Sequence, residues 1–169
     1  MRIILNLKYL KSNKTKAMKK LHICLLLCAI YMVFSCDNMN SHEKDFLNDI
    51  ITTHPEFSNY TWIVIIPEVG CNGCIQEGEY FLKTHISEKS ICYILTNIRS
   101  IKILQQKTGI KIKEQNNVYI DKDNIFTLPS NNSIYPCVAK IKNHQVISVE
   151  FQCPDNAAFR NLEEVLLED

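Results

Sequence analysis

From Thr61 to Ile66 the chain reads Thr-Trp-Ile-Val-Ile-Ile, uncharged and rich in β-branched side chains. A strand with one face in water alternates apolar and polar residues. An unbroken run fits a strand buried on both faces, in a sheet covered by helices on both sides. Pro67 lacks the N–H that a ladder needs and closes the strand. Just beyond it stands Gly70-Cys71-Asn72-Gly73-Cys74. The segment from Cys74 to Ile86 then places Phe81, Leu82 and Ile86 on one side and Glu77, Glu79 and Lys83 elsewhere, which predicts a helix weakened by Gly78. Two cysteines two residues apart at a strand-to-helix junction point to a dithiol that can close and open. The N–H groups of a helix start favour its thiolate form.

The same periodicities divide the rest of the chain. Ser41 is a candidate cap for a helix from His42, with Phe46, Leu47, Ile50 and Ile51 as its apolar face, ended by His54-Pro55. Ile91 to Leu95 is a second short strand. Ile98, Ile101 and Leu104 recur at helical spacing before Gly109, a reasonable stop. Val118-Tyr119-Ile120 is a brief strand entering the turn Asp121 to Asn124, and Pro129 to Ser133 is a loop. Cys137–Ile141 and Gln145–Phe151 form a hairpin around Lys142-Asn143-His144. Asp155 is the expected cap of a last helix, with Phe159, Leu162, Val165 and Leu166 inward. Parallel βαβ units followed by an antiparallel hairpin and a terminal helix predict an α/β sandwich, a mixed central sheet flanked by helices.

The first part of the chain follows another logic. Met18-Lys19-Lys20 leads an apolar stretch from Leu21 to Phe34, too short to span a bilayer comfortably, in the pattern of a secretory signal. Met18 is a candidate start of translation. Val33-Phe34-Ser35-Cys36 resembles a bacterial lipobox, which implies cleavage before Cys36 and lipidation of that cysteine; an uncleaved signal anchor is the alternative. The expected division is signal peptide 1–35, lipidated cysteine and tether 36–41, and one domain over 42–169. Residues 1–35 carry seven basic residues and no acidic one, so the remainder holds 12 Lys and Arg against 18 Asp and Glu, a formal charge of −6. An acidic domain argues against a nucleic-acid partner. Of the eight cysteines, Cys24 and Cys28 leave with the leader and Cys36 is blocked by lipid. Cys71, Cys74, Cys92, Cys137 and Cys153 remain, an odd number that cannot all pair internally.

The element order, the CxxC after the first long buried strand, and Ile134-Tyr135-Pro136 directly before the hairpin together resemble the thioredoxin-like fold. The spacing from Cys71 to Pro136 is similar to that of its membrane-tethered, extracytoplasmic thiol–disulfide oxidoreductases, and the likeness covers residues 42–168. The resemblance implies that Cys71 attacks, that Cys74 resolves, and that Pro136 follows a cis peptide bond and helps bind the substrate backbone together with Tyr135. It implies no organic cofactor, since the cysteines are the redox centre. The implied partners are exported protein disulfides or dithiols, an electron donor or acceptor, and a membrane reached through the lipid, in the cell envelope facing the periplasm. Two features depart from the pattern. Val69-Gly70 stands where many members have an aromatic residue, and Ile63-Val64-Ile65-Ile66 has no buried acid. Glu68 is the candidate substitute proton acceptor; a solvated loop carboxylate is its bland alternative. Asn72-Gly73 assigns no redox direction.

Other readings of the cysteines stay open. The CxxC pair could be a structural disulfide or half of a metal site, although no second CxxC or HxxxH exists to complete a zinc site. A tethered binding or assembly protein without turnover and a Cu(I) chaperone holding the ion between Cys71 and Cys74, with or without Cys137, are the rival functions. Cys137 belongs either to the core or to a three-thiol relay. Cys92 fits a small buried hydrophobe. Cys153 could pair with Cys92 or Cys137. His54, His85 and His144 lack partners at metal spacing. Asp121-Lys122-Asp123-Asn124 lacks the glycine and glutamate of a calcium loop and reads as a turn.

Overall fold

The structure, a computed structural model, describes residues 40–168. The leader, Cys36 and the tether up to Met39 lie outside them. The elements are α1 (Ser41–Thr53), β1 (Trp62–Pro67), α2 (Asn72–His85), β2 (Ile91–Thr96), α3 (Ile101–Thr108), β3 (Val118–Asp121), β4 (Cys137–Lys142), β5 (Gln145–Cys153), β6 (Asn156–Ala157) and α4 (Ala158–Glu168). Short 3-10 turns fill Pro55–Asn59, Ile112–Glu114 and Asn131–Ile134.

The six strands form one sheet in the order β3-β2-β1-β4-β5-β6. β1 pairs parallel with β2, and β2 parallel with β3; β4 runs antiparallel to β1, and β5 antiparallel to β4. The fold is an α/β sandwich with a mixed sheet. All six residues of β1 are buried, as a central strand requires. Its alternation divides two cores. Ile63 and Ile65 face Leu47, Ile50 and Ile51 of α1, together with Phe57 and Phe126. Val64 and Ile66 face Phe81 and Leu82 of α2, Leu104 of α3, and Phe159 and Leu162 of α4. The hairpin turns at Asn143 and His144, which take φ of 53° and 61°, the two left-handed residues of a tight β4–β5 connection.

Asp121 shows why its cluster is a turn. Its buried carboxylate accepts the N–H groups of Ile125 and Phe126, both at 2.9 Å, and so organises the loop after β3. Two expected helix caps are different in the fold. Ser41 is already helical, and Asn40 takes the capping position while its side chain donates to the Val149 carbonyl. Asp155 caps nothing: β6 intervenes, α4 starts at Ala158, and the Phe159 N–H is accepted by Gln152 Oε1 at 3.1 Å.

Candidate functional site

The end of β1 delivers the chain to Gly70, where backbone meets backbone. A Cβ on Gly70 would lie 2.1 Å from the Ile134 carbonyl oxygen. The same carbonyl accepts the Cys71 N–H at 3.0 Å. The cysteine loop is therefore clamped onto the segment that leads into β4. Cys71 occupies the N-cap position of α2 and Cys74 its first turn, and the two form a disulfide with Cα atoms 5.4 Å apart. Cys71 is partly exposed, whereas Cys74 is 6% exposed. No acidic residue stands in the first turn of this 14-residue helix, and Lys83 lies in its last turn. Both features leave the N-terminal field free to favour a Cys71 thiolate once the disulfide opens.

Pro136 is buried against the middle of the dithiol helix. A Cβ on Gly78 of α2 would meet Pro136 Cγ, Ile66 Cγ2 and the Phe159 ring at 3.4 Å each. Gly78, expected only to weaken the helix, is where α2 lies over β1, α4 and the proline, with room for no more than ordinary contact. The expected cis bond is a correction: the described residues contain no cis peptide, so Tyr135–Pro136 is trans. Tyr135 is extended, with φ −106° and ψ 146°, a conformation that the residue before a trans proline favours. Its ring is half-buried against the core on the α1 side.

Glu68 is placed elsewhere. Its carboxylate accepts the Arg99 N–H, tying the end of β1 to the loop before α3, and it borders a small cavity with Glu79, Ile103 and Lys107. Two carboxylates share the dithiol's cleft: Glu77, one helical turn beyond Cys74, and Asp155, in the turn between β5 and β6. This cleft, about 490 Å³, is lined by Cys71, Cys74, Glu77, Gln152, Cys153 and Arg160 among others. The Gln152 amide donates to Glu77 while its oxygen holds the start of α4. Periodicity had assigned Glu77 to the polar side of α2, and only its i,i+3 spacing from Cys74 could have signalled the shared face.

The three remaining described cysteines are free thiols. Burial pushes the Cys92 thiol up to about 12. Cys137 is 0% exposed; burial, and less so the negative charge of Glu43, drives its thiol above the ordinary range. Cys137 is thus a core residue. Among the described residues no three His, Cys, Asp or Glu are grouped to hold a metal ion, so the three-cysteine copper set with Cys137 is not assembled. His85 stacks on Phe81 and meets Glu163 at 3.1 Å, His144 meets Ser58, and His54 lies 3.5 Å from Glu56. No described helix is long and apolar enough to cross a membrane.

The class that fold and site define is an α/β sandwich with a disulfide at the start of a helix following its central strand. No protein-family model matches the chain, and neither the curated proteins nor the solved structures contain a match to it.

Proposed function

We propose that the protein is a thioredoxin-like thiol–disulfide oxidoreductase, lipid-anchored through Cys36 outside the cytoplasm and acting on exported proteins. The observation that carries this reading is the asymmetry of the pair: Cys71 partly exposed at the N-terminus of α2, Cys74 buried one turn in. In the reduced protein the Cys71 thiolate attacks one sulfur of a substrate disulfide and the other sulfur leaves as a thiolate. Cys74 then attacks Cys71 Sγ, releasing the second substrate thiol and restoring the Cys71–Cys74 bond. Two electrons pass to the substrate, and an electron-donor protein must return them; run backwards, the cycle oxidises a dithiol and needs an acceptor.

Glu77 is the carboxylate we assign to take the Cys74 proton, because it lines the same cleft on the same helix, three residues beyond Cys74, whereas Glu68 borders a different cavity and Asp155 lies on the β5–β6 turn. The test is turnover of a model protein disulfide. Cys71→Ser should abolish it, and Glu77→Gln should lower the rate and change its pH profile with the fold intact. A wild-type protein that neither reduces nor oxidises the disulfide removes the proposal.

A second reading, a binding or assembly protein without turnover, is favoured by the wholly apolar interior of β1, which offers no acid behind the dithiol. Alkylation separates the two. A rapidly modified Cys71 in the reduced protein supports exchange, and a slow one supports the binding protein.

A further inference from the structure

Cys153 is the last residue of β5, pinned by its pairing with Asn156 of β6, and it is partly exposed. It lines the same cleft as Cys71 and Cys74. The backbone explains the juxtaposition. Segment 134–136 is held at one end by the Cys71 N–H on the Ile134 carbonyl, at 3.0 Å. At the other end the Gln152 N–H sits on the Pro136 carbonyl, at 2.8 Å. The dithiol loop and the end of β5 are thus fastened to one three-residue strip. The other two free thiols, Cys92 and Cys137, are buried in the core.

We infer that Cys153 is a third exchange partner in this cleft, able to convert the Cys71–Cys74 disulfide into a Cys71–Cys153 disulfide and to resolve adducts on Cys71. The inference rests on the thiol–disulfide reading above. In the internal step the Cys153 thiolate attacks Cys71 Sγ, the Cys71–Cys74 bond breaks, and the electron pair leaves on Cys74, which takes up a proton. One disulfide and one thiol stand on each side, so no external oxidant enters. Cys71, the more exposed partner of the disulfide, is the sulfur open to this attack. A substrate held on Cys71 can then be released from either side, by Cys74 within the helix or by Cys153 across the cleft.

The test uses the reduced full chain carrying Cys74→Ser, exposed to oxidised glutathione, acid-quenched, alkylated and mapped by mass spectrometry. Cys71 displaces one glutathione and Cys153 displaces the second, so the expected product is a Cys71–Cys153 linked peptide. Adding Cys153→Ser should leave a stable Cys71–glutathione adduct instead. Accumulation of that adduct in the single variant, with Cys153 fully alkylated, overturns the inference. The wild-type protein equilibrated in a glutathione redox buffer gives a second reading independent of the variant's folding: the Cys71–Cys153 peptide is expected as a minor species, and its absence also overturns the inference. Failure of the underlying reading looks different, because Cys71 then forms no adduct in any variant and the wild type exchanges with no model disulfide; that result removes both.

Discussion

At Gly70 the chain passes so close to Ile134 that a methyl group has no room, and the obstacle is backbone rather than a movable side chain. Gly70→Ala is expected to cost about 1–3 kcal/mol, the usual penalty for overpacking, and to weaken the Cys71 N–H bond to Ile134. Gly73 is the control. It lies in the first turn of α2 with nothing within 4 Å of an added Cβ, so Gly73→Ala should be neutral or stabilise by up to about 1 kcal/mol. Urea midpoints of the two variants check both; equal midpoints would mean that the clamp on Ile134 is not rigid. The cysteines invite a second residue-scale prediction. Burial holds the Cys92 thiol near 12, so below that pH it stays a protonated thiol, and it is 3% exposed. Iodoacetamide at pH 8 should modify Cys71 and Cys153 in the reduced native protein and reach Cys92 and Cys137 only in denaturant. Native labelling of Cys92 would contradict the burial.

Helix α1 is tied to the site through Glu43, which is 4% exposed. Burial raises its carboxyl, but hydrogen bonds from Ser130, its own backbone and Asn132, with the charge of His42, outweigh that and hold it below 4.5. A carboxylate with a lowered folded-state value adds stability that is fully present above the unfolded value and is lost as pH falls through the folded one. Glu43→Gln should therefore cost about 1 kcal/mol at pH 7, and the gap to wild type should close below about pH 4. A gap independent of pH would show that shape, not charge, matters there. Ser130 and Asn132 lie just ahead of Ile134, so the same bonds steady the clamp on Cys71. This division explains what was legible in the sequence. Strands β1 to β3, the hairpin and the α1 face were readable because each is written in local periodicity, as in Ile63 to Ile66 or Leu47, Ile50 and Ile51, whereas the two-residue β6 has none. The pairings of Gln152 with Phe159, Glu43 with Asn132 and Glu68 with Arg99 depend on which loops meet, and no local spacing encodes that. Cys71, Cys74 and Pro136 stand out in the sequence by motif, while the places that Glu77, Gly78 and Cys153 take in the fold depend on how the helix and the end of β5 come together.

For the whole molecule the question is whether opening the disulfide endangers the fold, since the proposed exchange requires the protein to survive both states. The bond joins residues only three apart, so the loop it closes is very short. Chain-entropy reasoning gives a loop of that size about 2 kcal/mol, well under the value for long loops. The two apolar layers do not depend on it: Ile63, Ile65 and Leu47 on one side, and Val64, Phe81 and Phe159 on the other, are packed by strands and helices that the disulfide does not bridge. The Cys71 N–H bond to Ile134 and the contact of Gly78 with Pro136 are likewise indifferent to the sulfur bond. The reduced protein should thus keep its far-UV circular dichroism and unfold cooperatively, with a stability lower by at most about 2 kcal/mol. Paired urea titrations with and without a reductant measure that difference. A reduced form that loses its structure would make Cys71–Cys74 a structural staple, and turnover through it would then require unfolding in every cycle.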